Sequence, residues 1–235
     1  MARLARVVAA GVPHLVTQRG NRDQKVFFGE DDCALYKELL HEGCRAAGTE
    51  VWAYCLLPNR VHLILVPSDE DGLRAALGDA HRRYTRQINA RKGWRGFLWA
   101  GRFASCPMDE DHLLDCARYV ELAPLRAKLA RRARDWKWSS ARAHLVRKND
   151  GLAMVKPLLA LAPDWAAFLA EGLEKDALEA IRKAESTGRP LGSVPFVKRL
   201  EKRLGRTLAR RKPGPKPKKR GRSPRPVRSK TSTFR

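Results

Sequence analysis

The sequence predicts an α+β sandwich built on a split βαβ pattern, and three observations carry that prediction. Apolar spacing switches between period two and helical period in the order strand, helix, two strands, helix, strand, helix. Two apolar runs, Val51 to Leu57 and Val61 to Val66, are split only by Pro58-Asn59-Arg60. Of the 235 residues 43% are hydrophobic, enough for one domain of roughly 150 residues with an appendage. The order matches a ferredoxin-like sandwich over residues 1–147, followed by a helical extension over 148–208 and a basic tail over 209–235.

Val12 to Gln18 (VPHLVTQ) is β-branched and ends at Arg-Gly-Asn, a turn signal, so it reads as the first strand. Asp31 to Ala47 carries Leu35, Leu39 and Leu40 at helical spacing, with Asp31 or Asp32 as the cap. The two central runs follow as strands. Leu73 to Ala90 is helical and basic, with Arg82, Arg83 and Arg86 on neighbouring turns. Phe97 to Pro107 is aromatic and predicts the fourth strand. Asp109 opens a helix whose stripe is Leu113, Ala117 and Val120, and Pro124 either follows its end or opens a short further helix. Trp136 to Val146 predicts a last amphipathic helix of this body.

The extension is helical in pattern, with stops at Pro157, Pro163, Gly188 and Pro190. Within Ser193 to Leu208, Phe196, Val197, Leu200 and Leu204 form a stripe, while Lys198, Arg199, Lys202 and Arg203 lie elsewhere. Such a helix either enters a DNA groove or packs on the body as a lid. The tail is Lys, Arg, Pro and Gly and cannot bury apolar surface, so disorder in the free protein is expected. Its Lys219, Arg220 and Arg222 resemble a minor-groove hook.

Net charge is +23, and residues 209–235 hold 12 Lys or Arg and no acid, which leaves 23 − 12 = +11 for the rest. A basic body with a more basic tail points to a polyanion, and nucleic acid leads over membrane because the tail has no apolar face. A solubilising tail is the plainer alternative. No run approaches a membrane span and no signal peptide is visible, so a cytoplasmic, nucleoid-associated protein is expected, as monomer or homodimer. The five cysteines (Cys33, Cys44, Cys55, Cys106, Cys116) show no C-x-x-C spacing and read as reduced and buried.

Candidate chemistry gathers in two segments. In Leu57-Pro58-Asn59-Arg60-Val61-His62, Arg60 and His62 share one strand face because side chains alternate. A lone His at a strand start is ordinarily a surface polar residue. Tyr119 sits roughly 100° from the centre of its helix stripe and points to an edge or cleft beside Arg118. An edge Tyr is ordinarily amphipathic packing. Residue 123 is one turn on, on the same face.

At these segments the chain resembles the REP-associated tyrosine transposases, single-tyrosine HUH enzymes of the IS200-like superfamily. Thr17-Gln18-Arg19-Gly20-Asn21 resembles the end of that family's first strand. Leu57-Pro58-Asn59-Arg60-Val61-His62 stands where it has Pro-Asn-His-x-His. Trp99-Ala100-Gly101-Arg102-Phe103 resembles its Trp-x-x-Arg-Phe segment, Tyr119 to Ala127 its Tyr-x-x-x-Asn-Pro-x-x-Ala helix, and Trp138-Ser139-Ser140 its closing Trp-Ser-Ser. The resemblance covers most of residues 8–147. It implies binding of single-stranded or hairpin DNA, and cleavage and rejoining through a 5′-phosphotyrosine formed by Tyr119. It also implies a divalent metal, Mg²⁺ or Mn²⁺, on His62 and two further ligands.

Two residues depart from that pattern. Arg60 replaces the first histidine and Ala123 replaces the asparagine, so His62 alone is left of three expected ligands. Mg²⁺ prefers oxygen ligands and would be held poorly. One reading has the Arg60 guanidinium bind the phosphate in the metal's place. The other has a dead site on a domesticated protein that only binds structured DNA. Either way Arg60, Arg82, Arg83, Arg86, Arg102 and the tail supply phosphate contacts. Trp94, Phe97, Trp99 and Phe103 are candidates for stacking bases, three of the four being expected in the core. A structured-RNA binder on the same scaffold is the remaining class, disfavoured because Val61 to Val66 exposes no aromatics.

Overall fold

The computed structural model describes residues 5–209, so Lys219, Arg220 and Arg222 lie outside the described residues. The elements are β1 (His14–Arg19), α1 (Glu30–Ala46), β2 (Glu50–Leu57), β3 (Arg60–Val66), α2 (Gly72–Lys92), β4 (Ala104–Pro107) and α3 (Glu110–Glu121), then α4 (Ala123–Arg126), α5 (Ala141–Leu145), α6 (Lys156–Leu161), α7 (Trp165–Ala170), α8 (Lys175–Thr187) and α9 (Val194–Leu204). One antiparallel sheet runs β2-β3-β1-β4. This is the split βαβ order that the alternating periods predicted.

The alternation of side chains sorts the core into two layers. Val16, Tyr54, Leu56, Val61, Leu63 and Leu65 face α1 and α2. Leu15, Ala53, Cys55, Leu57 and Ile64 face α3 and the helices after it. All five cysteines are buried and none is in a disulfide.

Local chemistry fixes the turns that matter. The Leu57–Arg60 pair closes the β2–β3 hairpin. The Pro58 carbonyl accepts from Val26 at 2.8 Å and Phe27 at 3.1 Å, and the Asn59 carbonyl from Gly20 at 2.7 Å. Gly20 must be glycine for close approach, since a Cβ there would lie 2.2 Å from the Gln24 carbonyl oxygen. In α3, Asp109 caps the helix by accepting from the His112 N–H, with Glu110 and Asp111 favourable in its first turn.

Three expectations on the elements are corrected. The fourth strand is only Ala104–Pro107; within 97–103 just Trp99 bridges the sheet, at Gly20, because Trp99 and Phe103 fill the core from a loop. The helix expected over 136–146 is cut to Ala141–Leu145. Residues before it run extended along β2, with Leu56 N–H donating to Trp138 O at 2.8 Å and Ser140 N–H to Tyr54 O at 3.0 Å. Gly29, not an aspartate, is the N-cap of α1. Asp32 sits inside the first turn and reaches back to accept from Phe28 N–H at 2.8 Å. Of the two readings for Pro124, the one observed is that it opens a further short helix, α4.

The extension packs on the body. Trp165, Phe168, Leu169, Ile181 and Ala184 join the layer under α3. The α9 stripe is covered, with Phe196 and Leu200 buried against Val7, Ala9 and Leu208. Its Ser193 N–H donates to Asp109 at 2.7 Å, tying it to the cap of α3. Of the two readings for this helix, packing on the body is the one observed.

Candidate active site

β3 places Arg60 and His62 two residues apart on one face, and the β1–β3 register sets Thr17 opposite His62. α3 crosses this face and brings Tyr119 to the His62 ring, edge-on, with centroids 5.1 Å apart. The structure therefore brings together Arg60, His62, Tyr119 and Ala123 as neighbours on one groove of about 640 Å³, also lined by Asp23, Lys25, Arg126, Arg182 and Glu185. His62 is not the surface residue that a lone strand-start His ordinarily is; it is 3% exposed.

Glu185 comes from α8, which lies against β1, β4 and α3. Its Oε1 accepts from the Thr17 hydroxyl at 2.5 Å and lies 3.6 Å from His62 Nδ1. Its Oε2 accepts from the Tyr119 hydroxyl at 3.1 Å. Thr17 Oγ1 is also 3.1 Å from His62 Nδ1. Since the threonine proton goes to the carboxylate, the imidazole Nδ1–H donates to the threonine oxygen. A chain of hydrogen bonds thus runs from His62 through Thr17 and Glu185 to Tyr119.

The electrostatics follow from that chain. Burial pushes the Glu185 carboxyl up, but hydrogen bonds and charge from His62, with Thr17 and Tyr119, hold it below its ordinary 4.5. Burial first, and the Glu185 charge second, push the Tyr119 phenol above its ordinary 10. Arg126 opposes this: its guanidinium lies 4.4 Å from the Tyr119 ring centre and donates to the Tyr119 carbonyl. Burial lowers the Arg126 pKa below its ordinary value. Arg60 at the groove mouth pairs with Asp23 at 3.0 Å, both side chains substantially exposed.

The remaining basic candidates sit elsewhere. Arg82, Arg83 and Arg86 are on α2, across the sheet from the groove, with Arg82 held by Asp79 and Arg83 by Glu42, each at 2.5 Å. Arg102 is exposed in the loop before β4 and does not line the groove. Of the four aromatics, two rather than three are buried: Trp99 and Phe103 are in the core, whereas Trp94 is 42% and Phe97 85% exposed. The loop places these two at the surface, where a core count by residue type does not reach. Lys25, Arg126, Arg182 and Glu185 carry no signal in any local motif. Arg126 alone falls inside a segment the sequence singled out, Tyr119 to Ala127, and it stands there at a position that segment leaves unspecified.

Among the described residues no group of three His, Cys, Asp or Glu side chains is placed to hold a metal ion, and no helix is long and apolar enough to cross a membrane.

Residues 8–122 match the family model described as IS200-like transposase. The chain is similar in fold to a solved REP-associated tyrosine transposase bound to a REP hairpin, with TM-score 0.51 and 19% identity over 66% of this chain and 90% of that one. A second solved chain, from Deinococcus radiodurans R1 and described as a candidate transposase, gives TM-score 0.37 and 22% identity over 50% of this chain and 95% of that one. No curated protein matches the sequence.

Proposed function

We propose, from the match of residues 8–122 to the IS200-like transposase family, that the protein binds single-stranded or hairpin DNA and cleaves and rejoins it through a 5′-phosphotyrosine at Tyr119. The observation that carries the reading is the Tyr119 hydroxyl on the same groove as Arg60 and His62, among Lys25, Arg126 and Arg182. The REP hairpin bound by the solved relative supports hairpin DNA as the ligand class.

The groove residues divide the work. Arg60 offers a permanently charged, bidentate phosphate binder. Its pairing with Asp23 is an exposed ion pair of small net worth, so a phosphate can displace the carboxylate. Arg126 and Arg182 supply further positive charge where the phosphorane develops it negatively. The family's divalent ion does not fit this donor set. A cation stands where the first imidazole belongs and Ala123 has no donor, which leaves His62 as a single imidazole for an ion that prefers oxygen ligands. No step here passes through a metal.

The test is covalent capture. Full-length protein is mixed with a 3′-labelled pool of DNA hairpins with randomised flanks, in EDTA and separately in Mg²⁺ or Mn²⁺. Wild type retains label through denaturation, and Tyr119→Phe does not, while both shift the hairpin in a gel. Adduct from neither protein, with the gel shift intact, leaves the second reading, a binder without chemistry. That reading is favoured by the two lost ligands and by a phenol held protonated. A hairpin RNA of the same sequence competing as well as DNA would move the protein to the RNA-binding class instead.

A further inference from the structure

We infer that Glu185 is the catalytic group that takes the proton of Tyr119 during strand cleavage. This rests on the phosphotyrosine reading above and goes beyond it by naming how a phenol is activated in a site that has lost its metal ligands.

A tyrosine attacking a phosphodiester must lose its proton at or before the transition state. In this groove that requirement is severe, because burial keeps the phenol protonated. The nearest acceptor is the Glu185 carboxylate, with Oε2 3.1 Å from the hydroxyl, within the range of direct proton transfer. The carboxylate is also held in place. Thr17 donates to Oε1 at 2.5 Å and His62 Nδ1 lies 3.6 Å from the same oxygen, so Oε2 is the oxygen left for the phenol. Hydrogen bonds of this kind keep it ionised and ready to accept. The logic is that of the kinase aspartate that accepts a substrate hydroxyl proton as the oxygen attacks phosphorus.

The step balances. The Tyr119 oxygen forms a bond to phosphorus and the bond from phosphorus to the 3′ oxygen breaks. The phenol proton passes to Glu185 Oε2, and the leaving 3′ oxygen takes a proton from water. Rejoining runs the same path backwards, with the 3′-hydroxyl attacking and the phenolate recovering its proton from Glu185. A carboxylate beside a phosphate is repulsive, and the groove answers it with Lys25, Arg60, Arg126 and Arg182 against Asp23 and Glu185.

The competing use of the same geometry is a plug, in which Glu185 merely occupies the phosphate's place. The two give opposite signs. In the covalent-capture assay with the hairpin pool, Glu185→Gln lowers the initial rate of adduct formation by about 100-fold or more, while gel-shift affinity does not fall, since a negative charge leaves the groove. Glu185→Asp recovers part of the rate and shows that the fold tolerates change at the position. An adduct rate in Glu185→Gln equal to or above wild type, at matched thermal stability, overturns the inference and leaves the phosphotyrosine reading standing. Absence of adduct in wild type, with binding intact, overturns both.

Discussion

Two carboxylates are buried on the same side of the sheet, and their surroundings differ in one respect. Glu121, the last residue of α3, is fully enclosed. It accepts from Ser140 Oγ at 2.6 Å, His144 Nδ1 at 2.7 Å and Trp165 Nε1 at 2.7 Å. Its donors come from α5, its cap and α7, so it fastens the segments after α3 to the body. Glu185 likewise faces three polar neighbours, but one of them is the Tyr119 hydroxyl and its side chain remains 18% exposed at a groove. The same solution to the cost of burying charge serves as a rivet where the cavity is closed and as a reactive site where it is open.

The largest effect that tests this contrast is on folding. Glu121→Ala orphans three buried donors at once and is expected to cost about 3 to 5 kcal/mol, measured by urea denaturation. Thermal melting should fall on the order of 10 °C. Glu185→Gln, which keeps the shape and the acceptor for Thr17 while its NH2 can donate to the Tyr119 oxygen, is expected to change stability by less than about 1 kcal/mol. Similar losses in both variants would mean that Glu185 is a second rivet, and the contrast would be gone.

The contrast was only half legible in the sequence. The order of elements followed from periodicity, the two apolar runs 51–57 and 61–66 split by Pro58-Asn59-Arg60 marked two strands, and the α1, α2 and α3 stripes named their buried faces. Arg60, His62 and Tyr119 fell together because each lies on a regular element whose facing can be counted from the sequence. Glu185 did not. It lies 66 residues beyond its phenol partner, on a helix whose polar face looks like any solvated one, and no local pattern distinguishes it from Glu179 two turns earlier. Glu121 was hidden for a related reason, since a polar residue in the last turn of a helix is ordinarily exposed. The tryptophans at 99, 136 and 138 misled in the opposite direction. Their apolarity suggested a strand and a helix, but Trp99 docks from a loop and Trp136 donates to the Leu56 carbonyl at 2.9 Å from an extended segment.

A medium effect sharpens the open half of the comparison. Arg60→Ala removes one phosphate contact at the groove and is expected to weaken hairpin binding by about tenfold at low salt, with the salt slope reduced by about 1. It also slows adduct formation at saturating DNA, because Arg60 shares the groove with Tyr119. Arg82→Ala, on the opposite face of the sheet, flattens the salt slope at most and leaves the saturated rate unchanged. Equal losses of saturated rate in the two variants would remove the groove as the site of cleavage.

The smallest effect comes from a third carboxylate, intermediate between the two. Asp150 accepts from the Tyr54 hydroxyl, from Lys37 Nζ at 2.9 Å and from the Leu152 and Ala153 N–H groups at 3.1 and 2.9 Å, with its side chain 24% exposed. Burial pushes its carboxyl up, but the hydrogen bonds from Tyr54 and Lys37 and from the two backbone N–H groups outweigh this and hold it below the ordinary 3.8. A carboxyl depressed in the folded state stabilises it above the unfolded value and loses that contribution as pH falls through the folded value. The stability gap between wild type and Asp150→Asn should therefore be full at neutral pH and close on acidification below 3.8. Melting curves of the two proteins between about pH 6 and about pH 2.5 read it directly. A gap that widened with acid would mean that the folded state holds Asp150 protonated. Its four donors would then be satisfied by a neutral group, and hydrogen bonding would not be what keeps charge buried on the α1 side of the sheet, opposite Glu121 and Glu185.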